Sequence, residues 1–157
     1  MAVSIIRKTA KYGTGRMPEH ADTDAEIAAC FDVMAELRGH LEREKFVPLI
    51  RSMQADGFRL ACIHAEGRVV AVAGYRISTN LFMGHNLYVD DLVTAESERS
   101  KGYGRQLLAW LRGIAVENGC RGFHLDSGVQ RKRAHEFYLR EGLELSSYHF
   151  SVRLNGR

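Results

Sequence analysis

Apolar positions recur along this chain with two different periods, and the switches between them divide it into elements. The apolar run from Val3 to Ile6 predicts a short first strand over residues 3–8, and the stretch 11–20, with Gly13, Gly15 and Pro18, reads as loop. Thr23 or Asp24 then caps a helix whose Ile27, Phe31, Met34 and Leu37 follow a helical spacing up to Gly39. Phe46, Leu49, Ile50 and Met53 predict a second helix over 43–54, with Pro48 loosening its first turns. From Phe58 the period falls to two. Residues 58–64 and 68–78 read as a hairpin around Glu66-Gly67, and a further strand, 86–94, completes a meander. Leu107, Trp110, Leu111 and Ile114 make one stripe of a helix over 102–118, stopped by Asn118-Gly119. A strand at 121–126 and a helix at 131–141, ended by Gly142, come next. The last strand, 144–154, alternates Tyr148, Phe150, Val152 and Leu154 with Ser147, His149, Ser151 and Arg153.

The order is β-α-α-β-β-β-α-β-α-β. A strand, a helix and a strand in the second half imply a right-handed crossover, which makes 86–94 and 121–126 parallel inside a mixed α/β sheet. Pro18 and Pro48 are the only prolines, and no Gly/Ser-rich, repeated or low-complexity segment interrupts the pattern, so residues 1–157 read as a single domain. With 45% hydrophobic and 26% charged residues the chain has material for a sizeable core. Its net charge of +3 is scattered rather than gathered in a stripe, which argues against nucleic acid as a partner. Cys30, Cys62 and Cys120 are odd in number and lack zinc-like spacing, so no disulfide framework and no metal is expected. The N-terminal apolar run is too short for a secretory signal and no stretch reaches membrane-spanning length; the expectation is a cytoplasmic protein.

The most informative stretch is Arg99-Ser100-Lys101-Gly102-Tyr103-Gly104, placed between an apolar strand and an amphipathic helix. Glycines there let the backbone approach a ligand closely, and the helix start offers uncommitted N–H groups to an anion. The chain has no G-x-x-x-x-G-K-[ST], and Leu107 stands where a dinucleotide-binding turn would need its third glycine. A pyrophosphate cradle of another kind is the reading that remains.

That hexapeptide resembles the R/Q-x-x-G-x-G/A signature of the GNAT superfamily, the acyl-CoA-dependent N-acyltransferases. A second block, Ala134-His135-Glu136-Phe137-Tyr138-Leu139-Arg140-Glu141-Gly142, is similar to the family's A-x-x-x-Y-x-x-x-G. The resemblance covers nearly the whole chain in element order. It implies a three-layer fold in which a mostly antiparallel sheet, flanked by helices, splays between a parallel fourth and fifth strand. Acetyl-CoA would lie in that opening as acyl donor, its pantetheine arm bonding the backbone around Leu92, Val93 and Thr94, and its pyrophosphate resting on the N–H groups from Ser100 to Arg105. Arg99, Lys101, Gly102, Tyr103 and Gly104 belong to the same loop. Arg131 stands where many relatives carry Asn; with Lys132 it is either a cofactor-phosphate contact or a solvated helix start.

Transfer to an amine requires a neutral nucleophile, yet an alkylamine with a pKa of about 10.4 is charged at neutral pH, so a group must receive it and its proton. Period-two alternation sends Asp90 and Asp91 to opposite faces and puts Tyr88, Asp90, Leu92 and Thr94 on one. Tyr88-Val89-Asp90-Asp91 is similar to the Tyr-x-Glu-Asp of polyamine-type members, which implies Asp90 as cation anchor or water-mediated base and Tyr88 as its neighbour at the substrate. The plainer alternative is a carboxylate solvated or paired with an arginine. The resemblance names Tyr138 as the catalytic group that reaches the departing sulfur. Full proton transfer from a phenol to a thiolate is uphill by roughly 2 kcal/mol, so a hydrogen bond to the developing thiolate suffices. A backbone N–H near Leu92 or Val93 is placed to stabilise the oxyanion. His135 and His149 either line the acceptor pocket or are structural. The sequence therefore reads as an acetyl-CoA-dependent N-acetyltransferase for a small primary amine, attacking the thioester directly. A protein N-terminal or lysine acetyltransferase and a non-catalytic acyl-CoA sensor are the alternatives. A homodimer is the commonest assembly for such a chain.

Overall fold

The structure, a computed structural model, describes residues 17–154, so the strand expected over 3–8 lies outside the described residues. The elements are β1 (Glu19–His20), α1 (Asp24–Ala29), α2 (Phe31–Leu37), α3 (Arg43–Ala55), β2 (Arg59–Ala65), β3 (Arg68–Asn80), β4 (Gly84–Thr94), a 3-10 turn (Glu96–Glu98), α4 (Tyr103–Glu117), β5 (Gly122–Leu125) and α5 (Lys132–Arg140). The strands form one sheet in the order β1-β2-β3-β4-β5. Neighbours are antiparallel except β4 and β5, which run parallel, as the crossover through α4 requires.

Local chemistry explains most of these boundaries. Thr23 and Glu26 form a capping box at α1: Glu26 N–H donates to Thr23 Oγ1 (3.2 Å) and Thr23 N–H to Glu26 Oε2 (2.8 Å). Those bonds hold the Glu26 carboxyl below its ordinary range. The β2–β3 hairpin turns on Glu66 and Gly67, both at positive φ (52° and 77°), the backbone that a two-residue hairpin loop demands. Pro48 sits inside α3, depriving the Glu44 carbonyl of its partner, while Phe46 and Ile50 bury the helix's inner face.

Two apolar layers sandwich the sheet. On one face Ile27, Phe31, Met34, Phe46 and Ile50 of α1–α3 meet Leu60, Cys62, Val72 and Val93. On the other Tyr103, Leu107 and Leu111 of α4 meet Ile63, Ala73, Leu87 and Val89. This is the mixed α/β, helix-flanked arrangement expected from the sequence.

Three details differ from the sequence reading. Glu19 and His20, read as loop, pair with Cys62 and Ala61 as an edge strand. The single first helix is two, broken at Cys30, whose thiol donates to the Glu26 carbonyl (3.3 Å). The strand expected over 144–154 has no regular structure, and Tyr148, Phe150, Val152 and Leu154 are all exposed. Alternation specifies a two-faced strand but not a partner, and the neighbouring β5 is only four residues long and buries none of them.

Candidate active site

β4 and β5 stay paired only from Asn86↔Gly122 to Val89↔Leu125. At Asp90 β4 carries a bulge: Tyr75 faces Val89 while Gly74 faces Asp91, so Asp90 is an extra residue in the ladder. The two strands part at that point. Ala95 N–H donates to the Val70 carbonyl (2.9 Å), and Val93 pairs with Val72. By alternation from these contacts, the main-chain groups of Leu92 and Thr94 turn away from β3 into the opening. Leu92 and Thr94 are therefore placed to bond an extended amide chain. Val93, expected to share that task, has its main chain directed at β3 and its side chain buried in the α1–α3 layer.

The bulge also rearranges the faces. Leu87, Val89 and Leu92 pack toward α4, whereas Val93 packs toward α1–α3. Tyr88, Asp90, Leu92 and Thr94 thus do not share one face, because the extra residue resets the alternation between Tyr88 and Leu92. Asp90 Oδ2 accepts from Arg76 Nε (2.9 Å), and Asp91 Oδ1 from Arg38 Nε (2.8 Å). Arg38 also donates to the Asp90 carbonyl (3.1 Å). Burial raises the Asp91 pKa, with Arg38 opposing it.

The Arg99–Gly104 loop opens α4 through two left-handed residues, Ser100 (φ 65°) and Gly102 (φ 89°). Gly102 is the N-cap and supplies no side-chain cap. Among the described residues no acceptor takes the N–H groups of Tyr103, Gly104 and Arg105; the first intrahelical bond is Gln106 N–H to the Gly102 carbonyl (3.0 Å). These N–H groups, at the positive end of the helix dipole, suit a diphosphate. Side chains serve the loop differently. Lys101 Nζ is bound to Glu98 (2.8 Å), which Arg68 also holds (2.5 Å), and the Tyr103 ring is buried against the sheet. Arg105 reaches Glu141 (3.3 Å), while the Arg99 side chain is exposed.

Helix α5 lies against α4. A Cβ at Gly104 would sit 3.4 Å from Phe137 Cζ and 3.7 Å from Thr94 Oγ1, so the glycine sets how closely α5, α4 and β4 converge. Tyr138 follows, half-buried, and among the described residues nothing hydrogen-bonds its hydroxyl. Burial raises its pKa, with the Arg131 charge pulling the other way. Arg131 is the N-cap residue of α5 and its side chain is exposed. His135 Nε2 meets the Gly128 carbonyl (2.8 Å) and ties α5 to the loop before it.

Sequence reasoning missed three participants. Arg38 and Arg76 neutralise the paired aspartates, and they arrive from α2's end and from β3, remote in sequence. Asp126 follows β5, and its Oδ2 accepts a short hydrogen bond from the Tyr88 hydroxyl and lies 3.4 Å from His149 Nδ1. Burial and that bond push the Tyr88 phenol up. The signal for Asp126 was its place just after a strand expected to run parallel to the one that carries Asp90-Asp91. A cavity of about 260 Å³ on the α2–α3 side is walled by Met34, Leu41, Phe46, Ile50 and Phe58 and touches Asp91. Among the described residues no group of three or more His, Cys, Asp or Glu is placed to hold a metal, and no helix is long and apolar enough to cross a membrane.

A sheet opened by one parallel pair, with a helix N-terminus and unpaired strand amides facing the opening, is the arrangement that the resemblance implies for an acyl-CoA-dependent transferase. The chain belongs to the acetyltransferase (GNAT) family, whose model matches residues 25–143, and it is an N-acetyltransferase. It is 33% identical over 127 residues to an uncharacterized N-acetyltransferase, YhdJ, of Bacillus subtilis, a match covering 80% of this chain and 89% of the relative. Over 98 residues it is 36% identical to the aminoalkylphosphonate N-acetyltransferase of Salmonella typhimurium, covering 62% of each chain. Its fold is similar to AAC(6')-Iy in complex with a CoA-containing bisubstrate analog (TM-score 0.76, 16% identity, 92% of this chain and 100% of that one). It is also similar to glucosamine-6-phosphate N-acetyltransferase from Arabidopsis thaliana (TM-score 0.73, 20% identity, 91% and 100%).

Proposed function

We propose that this protein transfers the acetyl group of acetyl-CoA to a primary amine of a small molecule, by direct attack of the amine on the thioester. The observation that carries the reading is the opening between β4 and β5, with unpaired main-chain groups on β4 and free N–H groups at the α4 N-terminus beside it, and α5, which carries Tyr138, packed on α4 at Gly104. Acetyl-CoA would supply there an activated acyl thioester. The N–H groups of Tyr103, Gly104 and Arg105 would hold its diphosphate, and the main chains of Leu92 and Thr94 its pantetheine arm. The Leu92 N–H is the donor placed for the carbonyl oxygen, where such a bond is worth about 3–4 kcal/mol as charge develops. Tyr138 donates to the sulfur as the C–S bond breaks. Burial suits it to that task, because a phenol kept protonated remains a donor throughout the physiological range.

A small acceptor is favoured over a protein chain by the Salmonella relative, which is by its name an aminoalkylphosphonate N-acetyltransferase. The test is a panel of amines and peptides with acetyl-CoA, followed by release of free thiol, on the wild type and on Tyr138→Phe. Wild-type turnover with at least one small amine is expected, with kcat reduced at least about tenfold in the variant and acetyl-CoA affinity unchanged. Turnover with peptides alone would reassign the acceptor. Equal kcat for both proteins across several pH values would remove Tyr138 from the reaction.

A further inference from the structure

Three carboxylates meet where β4 and β5 part, and two of them already have guanidinium partners. Asp90 is held by Arg76, and Asp91 by Arg38. A cationic acceptor approaching either must compete with an arginine fixed at hydrogen-bonding distance.

Asp126 differs in its partners. Leu87 and Val89 pack toward α4, so Tyr88 between them faces the other way, and its hydroxyl, bonded to Asp126, places that carboxylate on the sheet face away from α4. Tyr138 sits on α5, which packs against α4 on the opposite face, through Phe137 at Gly104 and through Arg112 Nη2 donating to the Glu141 carbonyl (2.7 Å). Asp126 and the helix that carries Tyr138 therefore lie on opposite faces of the sheet. Both contacts given to the Asp126 carboxylate, the Tyr88 hydroxyl and His149 Nδ1, are made to Oδ2. The phenol is neutral and fixes the direction of the carboxylate without cancelling its charge. The side chain is 49% exposed, which leaves room for a ligand to reach Oδ1.

The structure assigns Asp126 as the anchor for the acceptor's ammonium group, with Tyr88 as the positioning residue that aims it. The inference rests on the N-acetyltransferase reading above and adds a substrate class: acceptors that arrive as alkylammonium ions, selected over uncharged amines, each releasing one proton to solvent water at the half-exposed carboxylate before its nitrogen attacks the thioester. A charge-assisted hydrogen bond of this kind carries about ten- to a hundredfold in affinity. Its loss belongs in the amine KM, because the contact is already made before the acyl group moves.

The experiment compares Asp126→Asn, Tyr88→Phe and Asp90→Asn with the wild type. Each is assayed with an alkylamine and with an aromatic amine that is uncharged at neutral pH, and acetyl-CoA affinity is measured by calorimetry. Asp126→Asn is expected to raise the alkylamine KM at least about tenfold, leaving the aromatic-amine KM and acetyl-CoA affinity unchanged, and Tyr88→Phe to raise it by a smaller factor. A general structural defect would move all three quantities together, and that result overturns the assignment. So does an unchanged alkylamine KM in Asp126→Asn, or a rise confined to Asp90→Asn. If the wild type acetylates neither amine nor any other in the panel, the proposed function falls and the anchor with it, whereas an active wild type with an indifferent Asp126→Asn sinks the anchor alone.

Discussion

At the scale of single residues, the site is built around one extra amino acid. The Asp90 bulge separates Tyr88 from Leu92 in facing and brings two aspartates within reach of Arg38 and Arg76. Opposite it stands Gly74, the register partner of Asp91. A Cβ there would lie 2.4 Å from Phe58 Cζ and 2.9 Å from Asp91 Oδ2, so the buried Phe58 ring would have to shift toward the cavity it lines and the carboxylate away from its place. Gly74→Ala should therefore cost about 1–3 kcal/mol by overpacking, read as a drop of about 3–10 °C in Tm. An unchanged Tm would show that the ring and carboxylate repack freely. None of this was legible in the sequence. A bulge leaves no mark in a run such as Tyr88-Val89-Asp90-Asp91, and strict alternation, the natural default, misplaces the side chains beyond it.

At the scale of elements, the close approach of α4, α5 and β4 turns on Gly104. An alanine Cβ at 3.4 Å from Phe137 makes ordinary contact, whereas the branched side chain of valine adds two methyl groups where Phe137 and Thr94 already crowd. Gly104→Ala should keep both Tm and acetyl-CoA affinity, in accord with a family signature that admits Gly or Ala at this place. Gly104→Val should lower Tm and weaken acetyl-CoA binding at least about tenfold, measured by calorimetry. Tight binding by Gly104→Val would separate the glycine from the donor site. Elements of this part were legible because their signals are local: a glycine-opened helix, a tyrosine on the next helix with the glycine that ends it four residues on, and a parallel pair imposed by the crossover. The C-terminal segment was not, since its alternation of Tyr148, Phe150, Val152 and Leu154 says how a strand would face and nothing about which edge would receive it. Asp126 was missed for a related reason. Its role comes from Tyr88, thirty-eight residues earlier, and that distance closes only when β4 and β5 pair.

At the scale of the whole molecule, one buried carboxylate joins the sheet to the Arg99–Gly104 loop. Glu98, 6% exposed, is bound by Lys101 from the loop and by Arg68 at the start of β3, and these partners, Lys101 foremost, hold its carboxyl below the usual range. A carboxylate whose folded pKa is depressed binds fewer protons in the native than in the unfolded chain. Its stabilisation is complete above the unfolded value of about 4.3 and is lost as pH falls through the lower, folded value. Asp91 has the opposite sign, because burial raises its pKa, so protonating it favours the fold. Comparing the wild type with Glu98→Gln isolates the first effect. The variant should melt below the wild type at pH 7, and the gap should close as pH falls below the unfolded carboxyl range and the wild-type carboxyl takes up its proton. Thermal unfolding from pH 7 to pH 3 measures this directly. Two curves that stay parallel to pH 3 would mean that Glu98 acts through its shape, as a hydrogen-bonding side chain, and that its charge contributes nothing to holding the Arg99–Gly104 loop on the sheet.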